Sequence, residues 1–215
     1  MAELVAAPAG VADSGPDVLL ATKLHVPGLQ RGFVSRPRLA GALGDGLVPG
    51  LVLVCAPAGC GKTLLLADWA RSGRYQVAWL SLDAGDNDLA RDWRHVVAAL
   101  DRARPGIAER TGPLLGPPAP PSFEGLATAL INEMAAQLGD GETLLILDDY
   151  HVIDAPAVHE SVTFLLEHLP PGLHMVLASR ADPPLPLPRM RAAGQLAELR
   201  SADLRFNADE TAALL

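Results

Sequence analysis

Apolar residues along this chain fall into two alternating patterns. Short unbroken runs lie in Leu51 to Cys55, Gln76 to Leu82, Thr143 to Leu147 and His174 to Ser179. Their length and aliphatic content predict strands buried on both faces. Between them, apolar residues recur at three- and four-residue spacing: Leu89, Trp93, Val96, Val97 and Leu100; then Phe123, Leu126, Leu130, Ile131, Met134 and Leu138; then Val158, Val162, Leu165, Leu166 and Leu169. Each set predicts a helix with one apolar face. Breakers fall where the patterns change. The turn formers Asp83 to Asp88 follow the second strand, Pro105 stops the first of these helices, and residues 112–121 read as a loop that neither helix nor central strand accepts. Ser122 caps the next helix, Gly139-Asp140-Gly141 ends it, Asp154 and Pro156 start another, and Pro170-Pro171-Gly172 close that one. A proline-rich crossover over 183–188 leads to a fifth strand at Gln195 to Leu199, and Asn207 with Glu210 forms an N-cap pair for a final helix. Strand and helix in alternation imply an α/β fold, a five-stranded parallel sheet with helices on both faces. Residues 1–20, rich in Ala, Gly and Pro, are expected to form a disordered tail, and residues 21–40 an extended lead-in with a short helix from about Ser35.

The turn after the first strand carries the strongest chemical signal. It reads Ala56-Pro57-Ala58-Gly59-Cys60-Gly61-Lys62-Thr63 and opens the helical run from Leu64. Strand, glycine-rich turn and helix in this order form a phosphate-binding loop. Its backbone N–H groups point inward, and the helix N-terminus adds a positive end of about half an elementary charge. In this reading Lys62 reaches the outer phosphates and the Thr63 hydroxyl ligates Mg²⁺. The first position is Ala56 where the usual pattern has glycine.

Parallel sheets bind ligands beyond the carboxyl ends of their strands. Those ends carry Asp83 after the second strand, Asp148 and Asp149 after the third, and Arg180 after the fourth. Asp148, closing four apolar residues, suits a Walker B acid that holds Mg²⁺ directly or through water. Asp149 is a candidate to polarise an attacking water; the alternative for both acids is a turn cap. Arg180 either senses a γ-phosphate or pairs with Asp182 or another acid. Arg36 and Arg38 in the lead-in either contact the nucleotide or remain a solvated pair. His151 has no second ligand at metal-site spacing and reads as a contact residue.

Charge and composition narrow the function. With a net charge of −8, the chain lacks the basic balance of a nucleic-acid binder. The only lysines are Lys23 and Lys62 among 17 basic residues, which makes the lysine inside the loop more informative. The two cysteines, Cys55 and Cys60, are too few for a disulfide framework and fit small buried residues in a reducing cytoplasm. No run approaches the roughly eighteen apolar residues of a membrane span, so no membrane partner is expected.

Five ordered segments then resemble a known family. Ala56 to Thr63, Val77 to Asn87, Leu147-Asp-Asp-Tyr-His151, Ala178-Ser-Arg-Ala-Asp-Pro-Pro184 and Leu204 to Glu210 are similar to the nucleotide-binding domain of MalT-type STAND ATPases, the large ATP-binding regulators of the LuxR class. The resemblance implies a P-loop NTPase of the ASCE type over residues 21–200, with 201–215 beginning a following helical region. It implies ATP or ADP with Mg²⁺ as cofactors and slow hydrolysis used as a switch. It further implies self-association through this domain under an inducer that the sequence does not identify, and DNA contact only through a C-terminal helix-turn-helix that this sequence lacks. A non-hydrolysing, nucleotide-dependent interaction module and a small-molecule P-loop kinase are the competing classes.

Overall fold

The computed structural model describes residues 19–45, 50–115, 123–138 and 141–214. Five parallel strands, β1 (Leu51–Cys55), β2 (Gln76–Ser81), β3 (Thr143–Asp148), β4 (Leu173–Ser179) and β5 (Leu196–Arg200), form one sheet in the order β2-β3-β4-β1-β5. The P-loop strand β1 thus lies between β4 and β5, and β4 separates it from β3. Every residue of β1 and β3 is buried, as expected where helices cover both faces. The outer strands β2 and β5 tolerate polar positions such as Gln76 and Glu198.

Eight α-helices connect and flank the strands among the described residues: α1 (Pro37–Asp45), α2 (Lys62–Ala70), α3 (Leu89–Ala103), α4 (Ile107–Thr111), α5 (Phe123–Leu138), α6 (Pro156–Glu167), α7 (Leu187–Ala192) and α8 (Ala208–Leu214). Alternation along the strands divides the core. Leu51, Leu53, Leu145, Leu147, Met175 and Leu177 pack with α3, α5 and α6, whereas Val52, Val54, Leu144, Ile146, Val176 and Ala178 pack with α1 and α2. Trp79 is fully buried in the second layer, and its indole N–H donates to Ser81 Oγ at 2.9 Å.

Gly50 makes the entry into β1 possible. Its φ is +146°, and a Cβ there would meet the Gln195 carbonyl oxygen at 2.2 Å. That carbonyl accepts from Leu51 N at 2.9 Å, so β5 approaches β1 too closely for any side chain.

The chain departs from the sequence reading in two places. A short helix, α4, follows Pro105, and a 3-10 turn occupies Gly112–Leu115 inside the stretch read as loop. The Asp101 carboxylate supports α4 by accepting from Gly106 N and Ala108 N at 3.0 and 2.9 Å, and Ile107 is fully buried. The expected tail over 1–18, the Ser122 cap, residues 116–121 and the Gly139-Asp140 break lie outside the described residues.

The lead-in is pinned rather than loose. Lys23, in a 3-10 turn at Ala21–Leu24, is buried, lies 3.1 Å from Asp83 and bonds to the fully buried Asp86. His95 Nδ1 of α3 lies 3.0 Å from the other Asp86 oxygen. Burial opposes the charge on Asp86, but the bonds from His95 and Lys23 outweigh it and hold the carboxyl down to about 2.

Candidate nucleotide-binding site

The loop between β1 and α2 closes on two left-handed glycines, Gly59 at φ +80° and Gly61 at φ +77°. Non-glycine residues rarely adopt this conformation, and the paired reversals turn successive N–H groups toward one concavity. Gly61 is also the N-cap of α2, so the loop runs straight into a helix N-terminus. A cleft of about 320 Å³ opens there, lined by Ala58, Gly59, Gly61, Lys62, Thr63, Leu64, Asp149 and Arg180.

Lys62, Thr63 and Asp148 are each hydrogen-bonded within the site. Lys62 is buried and donates from Nζ to the Ala56 and Pro57 carbonyls at 2.7 and 3.1 Å. Thr63 Oγ1 donates to Asp148 Oδ1 at 3.1 Å. The hydroxyl and carboxylate are neighbouring hard oxygen donors at the mouth of the loop, a set that suits Mg²⁺. Asp148 is 2% exposed, and burial pushes its carboxyl up to about 6, with the adjacent Asp149 adding to the rise and the Thr63 hydrogen bond opposing it.

Asp149 is the only described non-glycine residue with positive φ, at 60°. Such backbone strain concentrates at functional turns. It swings the Asp149 side chain to the rim of the cleft, where the carboxylate lies 3.7 Å from His151 Nδ1 and remains 45% exposed. Burial, and then the charge of Arg180, lower the His151 pKa. Arg180, immediately after β4, is exposed and faces the same cleft. Its proposed alternative partner, Asp182, pairs instead with Arg200. Arg180 has no ion pair among the described residues.

Thus Ala58, Gly59, Gly61, Lys62, Thr63, Leu64, Asp149 and Arg180 converge on one cleft, with Asp148 beneath Thr63. Ala56 and Pro57 contribute through the carbonyls that hold Lys62. Cys60 is half-buried against the α1 and α2 layer, and both cysteines are free. Asp83, also at a strand end, is engaged elsewhere: it caps the turn Ala84–Asn87 and pairs with Lys23.

Arg36 and Arg38 are both held by protein partners, Arg36 buried and Arg38 exposed. Arg36 is 3% exposed and does not line the cleft; it donates to the Gly61 carbonyl at 3.3 Å and the Leu204 carbonyl at 3.0 Å. Arg38 forks onto Glu210 of α8 through bonds of 2.9 and 3.1 Å. Sequence reasoning missed Leu204 and Glu210 because they lie 168 and 172 residues downstream of Arg36 and Arg38, where no local spacing signals them.

No protein-family model matches the chain. It is 35% identical over 193 residues to the HTH-type transcriptional regulator MalT of Yersinia enterocolitica, an alignment covering 90% of this chain and 21% of that protein. MalT of Vibrio cholerae is 32% identical over 192 residues, covering 88% of this chain and 21% of the relative. The chain therefore spans about a fifth of the length of these curated relatives. Among solved structures, Drosophila ORC bound to DNA superposes with a TM-score of 0.49 and 18% identity over 81% of this chain and 43% of that one. Caenorhabditis elegans PCH-2 gives 0.41 and 14% over 76% and 41%.

Proposed function

We propose that this chain is a P-loop NTPase domain of the MalT type that binds ATP and ADP with Mg²⁺ and hydrolyses ATP slowly, as the switch domain of a transcriptional regulator. The observation that carries this reading is the convergence of Lys62, Thr63, Asp149 and Arg180 on one cleft, with Asp148 held against Thr63. Lys62, resting on the Ala56 and Pro57 carbonyls, moves to the β- and γ-phosphate oxygens. Thr63 and Asp148 supply the protein oxygens for Mg²⁺, which neutralises phosphate charge when bound. Asp149 orients and polarises the attacking water at the cleft rim, and Arg180 pairs with the γ-phosphate from the strand beside β1.

In this proposal nucleotide state governs self-association of the domain and promoter activation by a longer protein in the cytoplasm. An inducer sets the exchange, and a helix-turn-helix outside this sequence contacts DNA. Residues from about 201 onward begin the region that follows the NTPase core. The net charge of −8 agrees with DNA contact residing elsewhere.

The test is a fluorescent-nucleotide titration of the wild type and Lys62→Ala. The wild type is expected to bind Mg·ADP and the variant to lose binding; equal binding overturns the reading. Phosphate release that disappears in Asp149→Asn separates a hydrolysing switch from a module that binds without turnover.

A further inference from the structure

The cluster around Arg36 ties together two parts of the chain that the nucleotide reading leaves unconnected. Arg36 precedes α1 and is almost wholly buried. One guanidinium nitrogen donates to the Gly61 carbonyl of the phosphate loop, and another donates to the Leu204 carbonyl. The guanidinium also lies 5.3 Å from the Phe206 ring centroid. Its neighbour Arg38 holds the same downstream segment through Glu210 and the carbonyls of Asp203 and Arg205. Leu204 is itself buried in the layer containing Leu39, Leu65 and Leu66.

The chemistry of the Gly61 contact gives the link its direction. The Gly61 carbonyl and the Lys62 N–H belong to one peptide group. A cationic donor on that oxygen polarises the amide and strengthens the Lys62 N–H as a donor to an anion in the loop. The same carbonyl accepts from Leu65 N at 2.9 Å in the first turn of α2, so its orientation is fixed from two sides. A Cβ on Gly61 would stand 3.0 Å from the Arg36 guanidinium, which leaves no slack between them.

We propose that Arg36 is a positioning residue for the phosphate loop and couples loop occupancy to the segment 203–210. This rests on the nucleotide-binding reading above. An anion pulling on the Lys62 amide strengthens the Arg36 bond to Gly61, which draws the guanidinium and, through Leu204 and Phe206, steadies the downstream segment. Thermodynamic reciprocity requires that loosening this segment weaken nucleotide binding.

The experiment uses the full chain with Mg·ADP as the probe and two readouts, nucleotide affinity and amide hydrogen exchange over 203–211. In the wild type, saturating Mg·ADP is expected to slow exchange in that segment. Arg36→Met is expected to weaken Mg·ADP roughly tenfold, the typical consequence of losing a charged hydrogen bond, and to make exchange in the segment independent of nucleotide. Arg36→Lys, one compact charge in place of a fork, restores affinity in part but not the coupling. Phe206 is 46% exposed and its ring faces the Arg36 guanidinium, so Phe206→Ala covers the case in which Arg36→Met fails to fold. It is expected to weaken Mg·ADP about two- to fivefold by loss of the cation–π contact. Wild-type affinity in either folded variant, or unchanged nucleotide-dependent exchange in Arg36→Met, overturns the proposal while leaving the nucleotide reading intact. If the wild type and Lys62→Ala bind alike, both fall.

Discussion

Two buried carboxyl groups set the pH behaviour, and they act on different properties. Asp148 is pushed up to about 6 by burial, yet its place beside Thr63 asks for the ionised form when Mg²⁺ is present. Protons and metal therefore compete for it. Mg-dependent nucleotide affinity is expected to fall as pH drops through about 6, and Asp148→Asn is expected to remove both that fall and most of the Mg²⁺ requirement. Titrations with and without Mg²⁺ from pH 5 to about 8 would show it; a flat wild-type profile counts against the assignment. Asp92 acts on stability instead. Burial, and then the charge of Asp86, push its carboxyl from 3.8 up to about 8. Between those values the folded chain keeps a proton that the unfolded chain releases, so raising the pH favours unfolding. The Asp92 contribution is present below the unfolded value and is lost as pH rises toward about 8. Urea midpoints at several pH values should decline less with pH in Asp92→Asn than in the wild type. A steeper decline would refute this role.

At the level of elements, the strands and most helices were legible because both patterns are local. A strand buried on both faces must be apolar throughout, as Leu144 to Leu147 is, and the loop signature lies within eight consecutive residues. A γ-phosphate role for Arg180 places the fourth strand beside the P-loop strand, as β4 lies beside β1, but nothing local to the strands stated the full order with β5 on the other side of β1. Long-range polar pairs were equally silent: Lys23 with Asp86, Arg38 with Glu210 and Arg200 with Asp182 each join segments whose local sequence allows many partners. Pro113 and Gly112 obscured the 3-10 turn at Gly112–Leu115, because breakers forbid a long helix but permit one tight turn. The Lys23 cluster shows what such hidden pairs do. It fastens the lead-in to the end of β2, and removing Lys23 takes one charge from a buried network in which Asp86 keeps only His95, Arg91 and the Asp83 N–H nearby. Lys23→Met is expected to destabilise the fold by about 3–5 kcal/mol, measured by urea denaturation, whereas changing Lys23 and Asp86 together to apolar residues should recover much of the loss. If the single and double variants were equally unstable, the pair would not be the fastening.

For the whole molecule, nucleotide binding and folding stability are linked because the loop hangs from β1, an interior strand of the sheet. β1 is hydrogen-bonded to β4 and β5 along its full length, and its side chains enter both core layers. The loop geometry therefore exists only when the sheet is assembled, and the unfolded chain offers no comparable cradle. A ligand that binds only the folded state stabilises it by mass action, about 2.7 kcal/mol at a hundred times its dissociation constant. For a chain of this size each kcal/mol moves the unfolding temperature by roughly 2–4 °C. Saturating Mg·ADP is thus expected to raise the melting temperature of the wild type by about 5–10 °C. Lys62→Ala, with its core residues untouched, should melt close to the unliganded wild type and show almost no shift. A comparable shift in both proteins would mean that the nucleotide binds away from the loop.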